Sequence, residues 1–152
     1  MLKLKPLLTV LTFLILTILM AGCGQTYELQ SIEVVPTSPN LAGIGATAQF
    51  TVTAKYSNTK TTNVTQQATY QIAAPAYGAP YAPITALKIN ATGMVEAVDG
   101  ACTWTATTTG SGDTAVTTYS TNPYILTVTY NNQKATAFIS VASLAGCQYQ
   151  KS

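Results

Sequence analysis

From residue 31 onward, apolar and polar positions alternate with a period of two, which is the pattern of β-strands with one buried face. The alternation is clearest in residues 50–56, 126–130 and 135–141, where most apolar side chains are separated by threonine, lysine or serine. Shorter segments of strand-like composition cover residues 31–35, 68–72, 87–90, 94–98 and 101–107. No stretch of this region has a helical period with caps, so the pattern predicts an all-β domain.

Turn residues separate these predicted strands at short intervals. Asp99-Gly100 lies between two predicted strands and is a two-residue hairpin signal, because both residues tolerate positive φ. Asn131-Asn132 is a similar signal between the last two strands. Frequent short strands predict a single Ig-like β-sandwich of about seven or more antiparallel strands. A small β-barrel is the alternative.

Two irregular segments interrupt the alternation. Residues 73–83 carry three prolines, which exclude a central strand, and residues 108–123 are rich in glycine, serine and threonine. Both are predicted to be surface loops, where binding residues often lie. Their tyrosines either contact a ligand or cover the open ends of the sandwich. The candidate ligand-contact residues are Tyr77, Tyr81, Tyr119 and Tyr124.

The first 22 residues differ in kind from the rest. Lys3 and Lys5 precede a run of mostly apolar residues, and the small residues Ala21 and Gly22 follow it. A basic start, an apolar centre and small residues at the end are the plan of a secretory signal peptide. The apolar run is slightly short for a retained membrane anchor, which needs about 20 residues. Residues 1–22 are therefore expected to direct export.

The end of this segment resembles the lipobox of bacterial lipoproteins, in the residues Leu19-Met20-Ala21-Gly22-Cys23. The family usually has Leu where Met20 stands. The resemblance implies that Cys23 receives the lipid and becomes the first residue, whereas an ordinary signal peptide would leave Cys23 unmodified. Gly24, by the sorting rule of this family, implies the outer membrane or cell surface. Residues 23–30 would then be the lipidated cysteine and a short tether.

The composition argues against several classes of function. Charged residues make up 8% of the chain, against roughly 25% in average domains, and histidine and arginine are absent. Without histidine the chain lacks the usual general base and the commonest metal ligand, and without arginine it lacks the side chain that binds phosphate through two hydrogen bonds. Apart from Lys3 and Lys5, lysines and acids balance, which gives no electrostatic basis for nucleic-acid binding. We expect no enzyme activity, no catalytic residue, no metal site and no cofactor.

Several short motifs resemble the bacterial Ig-like domain of group 2, across residues 31–142. The matching segments are residues 31–36, Leu41 with Gly45, residues 48–54, Tyr56-Ser57, Asn63-Val64-Thr65, Thr92-Gly93-Met94-Val95, Gly100 and residues 103–107. The family often has Trp where Tyr70 stands, and the two irregular segments are insertions relative to it. The resemblance implies an Ig-like sandwich in a non-catalytic surface module, as in adhesins or spacer domains.

The remaining cysteines, Cys102 and Cys147, can pair in an oxidising compartment if Cys23 carries lipid. Such a disulfide would tie the tail, residues 143–152, to the sheet. The alternative is that Cys102 is a small buried apolar residue beside Trp104.

Taken together, these features predict an exported lipoprotein attached to the membrane through Cys23. Its Ig-like module is expected to mediate adhesion or bind an unidentified protein. Binding of polysaccharide or cell wall and a purely structural role in the envelope are the alternatives.

Overall fold

The structure, a computed structural model, describes residues 27–75 and 82–142. The predicted signal peptide and Cys23 lie outside these residues, as do Tyr77, Tyr81 and Cys147. The predictions for these positions therefore stay predictions.

Within the described ranges the chain forms twelve β-strands, two short 3-10 turns and no α-helix. The strands are β1 (Leu29–Val35), β2 (Asn40–Leu41), β3 (Thr47–Gln49), β4 (Thr51–Tyr56), β5 (Thr61–Asn63), β6 (Thr69–Ala73), β7 (Leu87–Ile89), β8 (Met94–Ala97), β9 (Trp104–Thr109), β10 (Val116–Thr121), β11 (Tyr124–Tyr130) and β12 (Gln133–Val141). The 3-10 turns cover Ile84–Ala86 and Gly112–Thr114. The prediction of an all-β domain is confirmed for the described residues.

Hydrogen bonding arranges the strands in four groups. Their orders are β1-β4-β5, β2-β12-β11-β6, β3-β8-β7 and β9-β10. Every pair is antiparallel except β2 with β12, where Asn40 and Leu41 run parallel to Ser140 and Val141. The predicted antiparallel pairing thus holds for the other described pairs, and the parallel pair was not predicted. The two-residue β2 is a segment of the long β1–β3 connection, which is free to follow β12 in either direction.

The alternating positions form a single core. Phe50, Val52 and Ala54 are fully buried, while Thr51 and Lys55 face outward. Buried side chains of the other long strands join the same cluster, including Ile32, Val34, Val95, Ala97, Leu126, Val128, Ala137 and Ile139. Burial of one such Val, Leu, Ile or Phe side chain contributes about 1.5–3 kcal/mol. The hydrophobic alternation thus correctly identified the inward face of the principal strands.

The two predicted hairpin turns have different outcomes. Asn131 and Asn132 have φ of 44° and 66° and connect the paired strands β11 and β12, as predicted. Asp99-Gly100, by contrast, connects β8 to β9, which do not pair. Both edges of β8 are already occupied by β3 and β7, so no edge is left for β9. Asp99 instead accepts a hydrogen bond from the backbone N–H of Gly100 (2.7 Å).

The prediction of a loop over residues 108–123 is also wrong. Most of this segment forms a regular hairpin with the residues before it, in which β10 pairs with β9 from Val116↔Thr109 to Thr121↔Trp104. We call β9 and β10 together the ribbon. All six residues of β10 are exposed, so neither face shows the apolar alternation that marks a half-buried strand.

Candidate functional site

Two surface features stand out, and they lie at opposite ends of β11. The ribbon leads through Asn122 and Pro123 into Tyr124 at the start of β11. At the other end of β11, the Tyr130 hydroxyl donates a hydrogen bond to Oε1 of Gln67, which lines a polar groove. A strand of this length separates the two features by roughly 20 Å.

Hydroxyl groups dominate the ribbon. Since side chains alternate along each strand, Thr105, Thr107 and Thr109 share one face with Thr118 and Ser120. Cross-strand contacts order these groups: the Thr105 and Ser120 hydroxyls are 2.7 Å apart. Neither strand of the ribbon carries a charge.

The ribbon also exposes larger side chains. Tyr119 is 45% exposed and Val116 is 60% exposed, and Thr108 contacts Thr117 through hydroxyls 2.9 Å apart. Tyr119 is therefore a surface residue, as predicted, but it lies on a strand instead of a loop.

The root of the ribbon is held by Thr103, which is fully buried. The backbone N–H of Val141 donates to the Thr103 hydroxyl (3.0 Å), and the N–H of Asn122 donates to the Thr103 carbonyl (2.7 Å). Next to Thr103, Cys102 is buried with its sulfur 3.3 Å from the carbonyl oxygen of Trp104. The ribbon is thus fixed to the end of β12 by hydrogen bonds.

Tyr124 does not belong to a binding loop, contrary to the prediction. Its side chain is fully buried, and its hydroxyl donates to the carbonyl of Pro83 (2.8 Å). As the first residue of β11, it points inward on the same face as Leu126 and Val128. Its position directly after the irregular segment 108–123 suggested a loop, but the strand starts two residues before the alternation of residues 126–130.

The polar groove has a volume of about 450 Å³ and forms where three separate segments meet. These are the junction of β3 and β4, the segment from the end of β5 toward β6, and the turn before β8. The lining residues are Gln49, Phe50, Thr51, Asn63, Thr65, Gln66, Gln67 and Thr92. None of them is charged.

Side-chain hydrogen bonds tie the groove wall together. The Gln49 amide nitrogen donates to the carbonyls of Phe50 (2.8 Å) and Thr92 (2.7 Å). On the opposite segment, Oδ1 of Asn63 accepts from the N–H of Thr65 (3.0 Å). The Thr65 hydroxyl in turn accepts from the N–H of Val52 (2.9 Å), which attaches this segment to β4.

Tyr70 and Gly93 lie next to the lining residues Thr65 and Phe50. The Tyr70 hydroxyl donates to the carbonyl of Thr65 (2.6 Å). Burial raises the pKa of Tyr70 because the phenolate would lose solvation, so the hydroxyl stays protonated as a donor. Its contribution to stability is complete below the unfolded pKa and is lost as the pH rises through the raised pKa. A Cβ on Gly93 would lie 2.8 Å from the Phe50 carbonyl oxygen and 3.0 Å from the Tyr70 hydroxyl.

The sequence alone does not mark this groove as a site. Asn63, Thr65 and Thr92 drew attention only as parts of short strand and turn motifs. The segments that meet here are separated by 12 or more residues, and amide and hydroxyl side chains are common in turns. No local signal distinguishes such residues from ordinary turn residues.

Across residues 27–75 and 82–142, no three His, Cys, Asp or Glu side chains are grouped as metal ligands. In the same ranges, no helix has the length and apolar character needed to cross a membrane.

Comparison of the sequence with models of known protein families finds no match, and comparison with curated proteins finds none either.

Proposed function

We propose that this protein is a non-catalytic lipoprotein of the bacterial envelope whose Ig-like module binds another protein through the ribbon. The all-β architecture supports the Ig-like part of this proposal. Strands β1, β4, β11 and β12 all contribute buried side chains to one core, and β1 is a spatial neighbour of β12. Two packed sheets with a shared core are the arrangement that a β-sandwich requires.

The observation that carries the protein-binding proposal is the exposure of the ribbon. A two-stranded hairpin of this kind leaves backbone N–H and C=O groups unpaired along its outer edges, and natural proteins usually block such edges with lysine or proline. Neither residue type is present in β9 or β10. An uncharged, unblocked edge beside Tyr119 favours recognition by addition of a partner strand.

A photocrosslinking experiment tests this role in intact cells that carry the full chain. A photoreactive phenylalanine analogue replaces Tyr119, and we expect a crosslinked adduct of discrete mass, whose partner is identified by mass spectrometry. The double substitution Thr118→Lys and Ser120→Lys adds charge to the ribbon and should remove the adduct. Thr136→Lys, at an exposed position of β12, is the matched control and should leave it. An adduct that survives the double substitution at full yield would contradict the proposal.

Lipid attachment at Cys23 has a direct test. In the full chain, Cys23→Ser should move the protein from the membrane fraction to the soluble fraction after export, because acyl chains supply the stable anchoring. Mass spectrometry of the unsubstituted chain should show the added lipid mass on Cys23. A membrane-bound Cys23→Ser protein would contradict lipid anchoring at this residue.

The proposed disulfide between Cys102 and Cys147 is tested on the same purified protein. Alkylation without reduction should modify neither cysteine, and alkylation after reduction should modify both. Modification of both thiols in the unreduced protein would favour the alternative, in which Cys102 is simply a buried apolar residue.

A further inference from the structure

We propose that the polar groove at the Tyr130 end of β11 is a binding site for a neutral saccharide. This site is separate from the ribbon, and its evidence is independent of the protein-binding role. Its volume of about 450 Å³ falls within the roughly 300–1,000 Å³ of small-molecule sites and suits one or two sugar rings.

Gln49 presents an oriented hydrogen-bond acceptor to the groove. The carbonyl oxygens of Phe50 and Thr92 can only accept, so the amide nitrogen of Gln49 must face both of them. Both of its N–H groups are used in this way. The amide oxygen is left to accept a hydrogen bond from a ligand hydroxyl, without any reorganisation of the side chain.

Other lining residues supply groups that both donate and accept. Gln66 is exposed, and neither its amide nor the Thr51 hydroxyl has a hydrogen-bond partner among the residues that the structure describes. The Gln67 amide nitrogen is available as well, since its oxygen accepts from Tyr130 at 3.4 Å. A sugar hydroxyl donates one hydrogen bond and accepts others, so a mixture of amides and hydroxyls matches it.

The charge of the groove selects the ligand class. No lysine, aspartate or glutamate is among the lining residues, and the chain has neither arginine nor histidine. A phosphate or carboxylate would lose its hydration without a compensating positive charge, which is unfavourable. The groove therefore favours a neutral polyhydroxyl compound over an anionic one.

The site is also held in place before a ligand binds. Thr65 is buried, and its hydroxyl accepts from the N–H of Val52, while Gly93 allows the turn that carries Thr92 to approach Phe50 closely. A backbone fixed in this way loses little conformational entropy on binding, which favours measurable affinity for a small ligand.

Ligand-observed saturation-transfer NMR on the full chain tests the proposal. The chain is kept in a zwitterionic detergent that contains no sugar, and the probes are maltotriose, cellotriose and N-acetylchitotriose, with trigalacturonate as the anionic comparison. We expect at least one neutral probe to bind with a Kd of about 0.1–1 mM, and trigalacturonate to bind more weakly than that probe.

Matched substitutions locate the binding. Gln66→Ala and Thr51→Val should each weaken binding by about three- to tenfold, the factor expected for one hydrogen bond. Gln71→Ala and Thr47→Val remove the same groups from exposed positions outside the groove and should leave the Kd unchanged. Unfolding curves for all four variants verify that each is folded.

Three results would overturn the proposal: no saturation transfer from any neutral probe, equal losses in groove and control variants, or equal binding of trigalacturonate. The ribbon variant with Thr118→Lys and Ser120→Lys should bind saccharide normally. Failure of the ribbon proposal is therefore distinguishable from failure of this one.

Discussion

The groove and the ribbon lie at opposite ends of β11, and they support similar side chains in different ways. Around the groove, Thr65 and Tyr70 are hydrogen-bonded to the backbone of neighbouring segments and pack against the core. On the ribbon, Thr105 and Thr108 are hydrogen-bonded mainly across the hairpin and are surrounded by solvent. The side chains around the groove are thus held against the core, whereas the ribbon projects from the core and is attached to it near Thr103.

This difference shows that residue type alone does not define a role in a threonine-rich chain. Thr103 is fully buried and is bonded to β12, while Thr107, four positions later, is exposed on the ribbon. Tyr124 and Tyr119 form a similar pair, one in the core and one on the surface. The surroundings of each side chain decide whether it contributes to folding or is available for binding.

The largest expected effect comes from the core wall of the groove. Phe50→Ala should lower the free energy of unfolding by about 3–5 kcal/mol, because it leaves a cavity in a fully buried position. Phe138→Ala, which removes the same side chain from a site that is 45% exposed, should cost less than about 1 kcal/mol. Denaturant unfolding of both variants measures the difference, and equal losses would contradict the assignment of Phe50 to the core.

A glycine pair separates backbone conformation from close packing. Gly45 has a φ of +81° with open space around it, so Gly45→Ala should cost about 1–2 kcal/mol. Gly93 has a similar φ of +79°, but a Cβ added there would press on the Phe50 carbonyl. Gly93→Ala should therefore cost about 1–3 kcal/mol more than Gly45→Ala. The comparison uses unfolding free energies, and indistinguishable values would mean that the turn moves away from Phe50 without penalty.

The root of the ribbon is tested by Thr103→Val. This change keeps the shape of the side chain but leaves the buried N–H of Val141 without its acceptor, at a cost of about 1–3 kcal/mol. Amide hydrogen exchange of the ribbon should accelerate at the same time. Thr107→Val, at an exposed ribbon position, should change stability by less than about 0.5 kcal/mol. Unchanged exchange in Thr103→Val would show that the ribbon does not depend on this contact.

The smallest effect distinguishes the two tyrosines. Tyr124→Phe removes the hydrogen bond to the Pro83 carbonyl and should lower the free energy of unfolding by about 1 kcal/mol. Tyr119→Phe should have no measurable effect on folding, because its ring is partly in solvent. If instead Tyr119→Phe were the more destabilising change, the ribbon would be packed more tightly than its exposure indicates.

The sequence was informative where one face of a strand is buried. Phe50, Val52 and Ala54 were predicted to face inward because each neighbour along the strand is polar, and Asn131-Asn132 predicted its hairpin because both residues adopt positive φ. Strand β9 was predicted in part by residues 101–107, whereas β10 escaped prediction because all of its side chains meet water and apolar alternation is absent. Asp99-Gly100 misled for another reason: a turn signal is local, but the pairing of β8 depends on β3, more than 40 residues earlier.

Alternation and turn chemistry were sufficient to predict that the described part of the chain is all-β and which side of its longest strands faces inward, since both act between near neighbours in sequence. Strand partners, the exposure of the ribbon and the assembly of the groove from residues 49–51, 63–67 and 92 could not be obtained that way. These features depend on which sheet edges remain unoccupied and on which distant segments the core draws together. Strands compete for free sheet edges, and distant segments meet, only once the whole chain is packed.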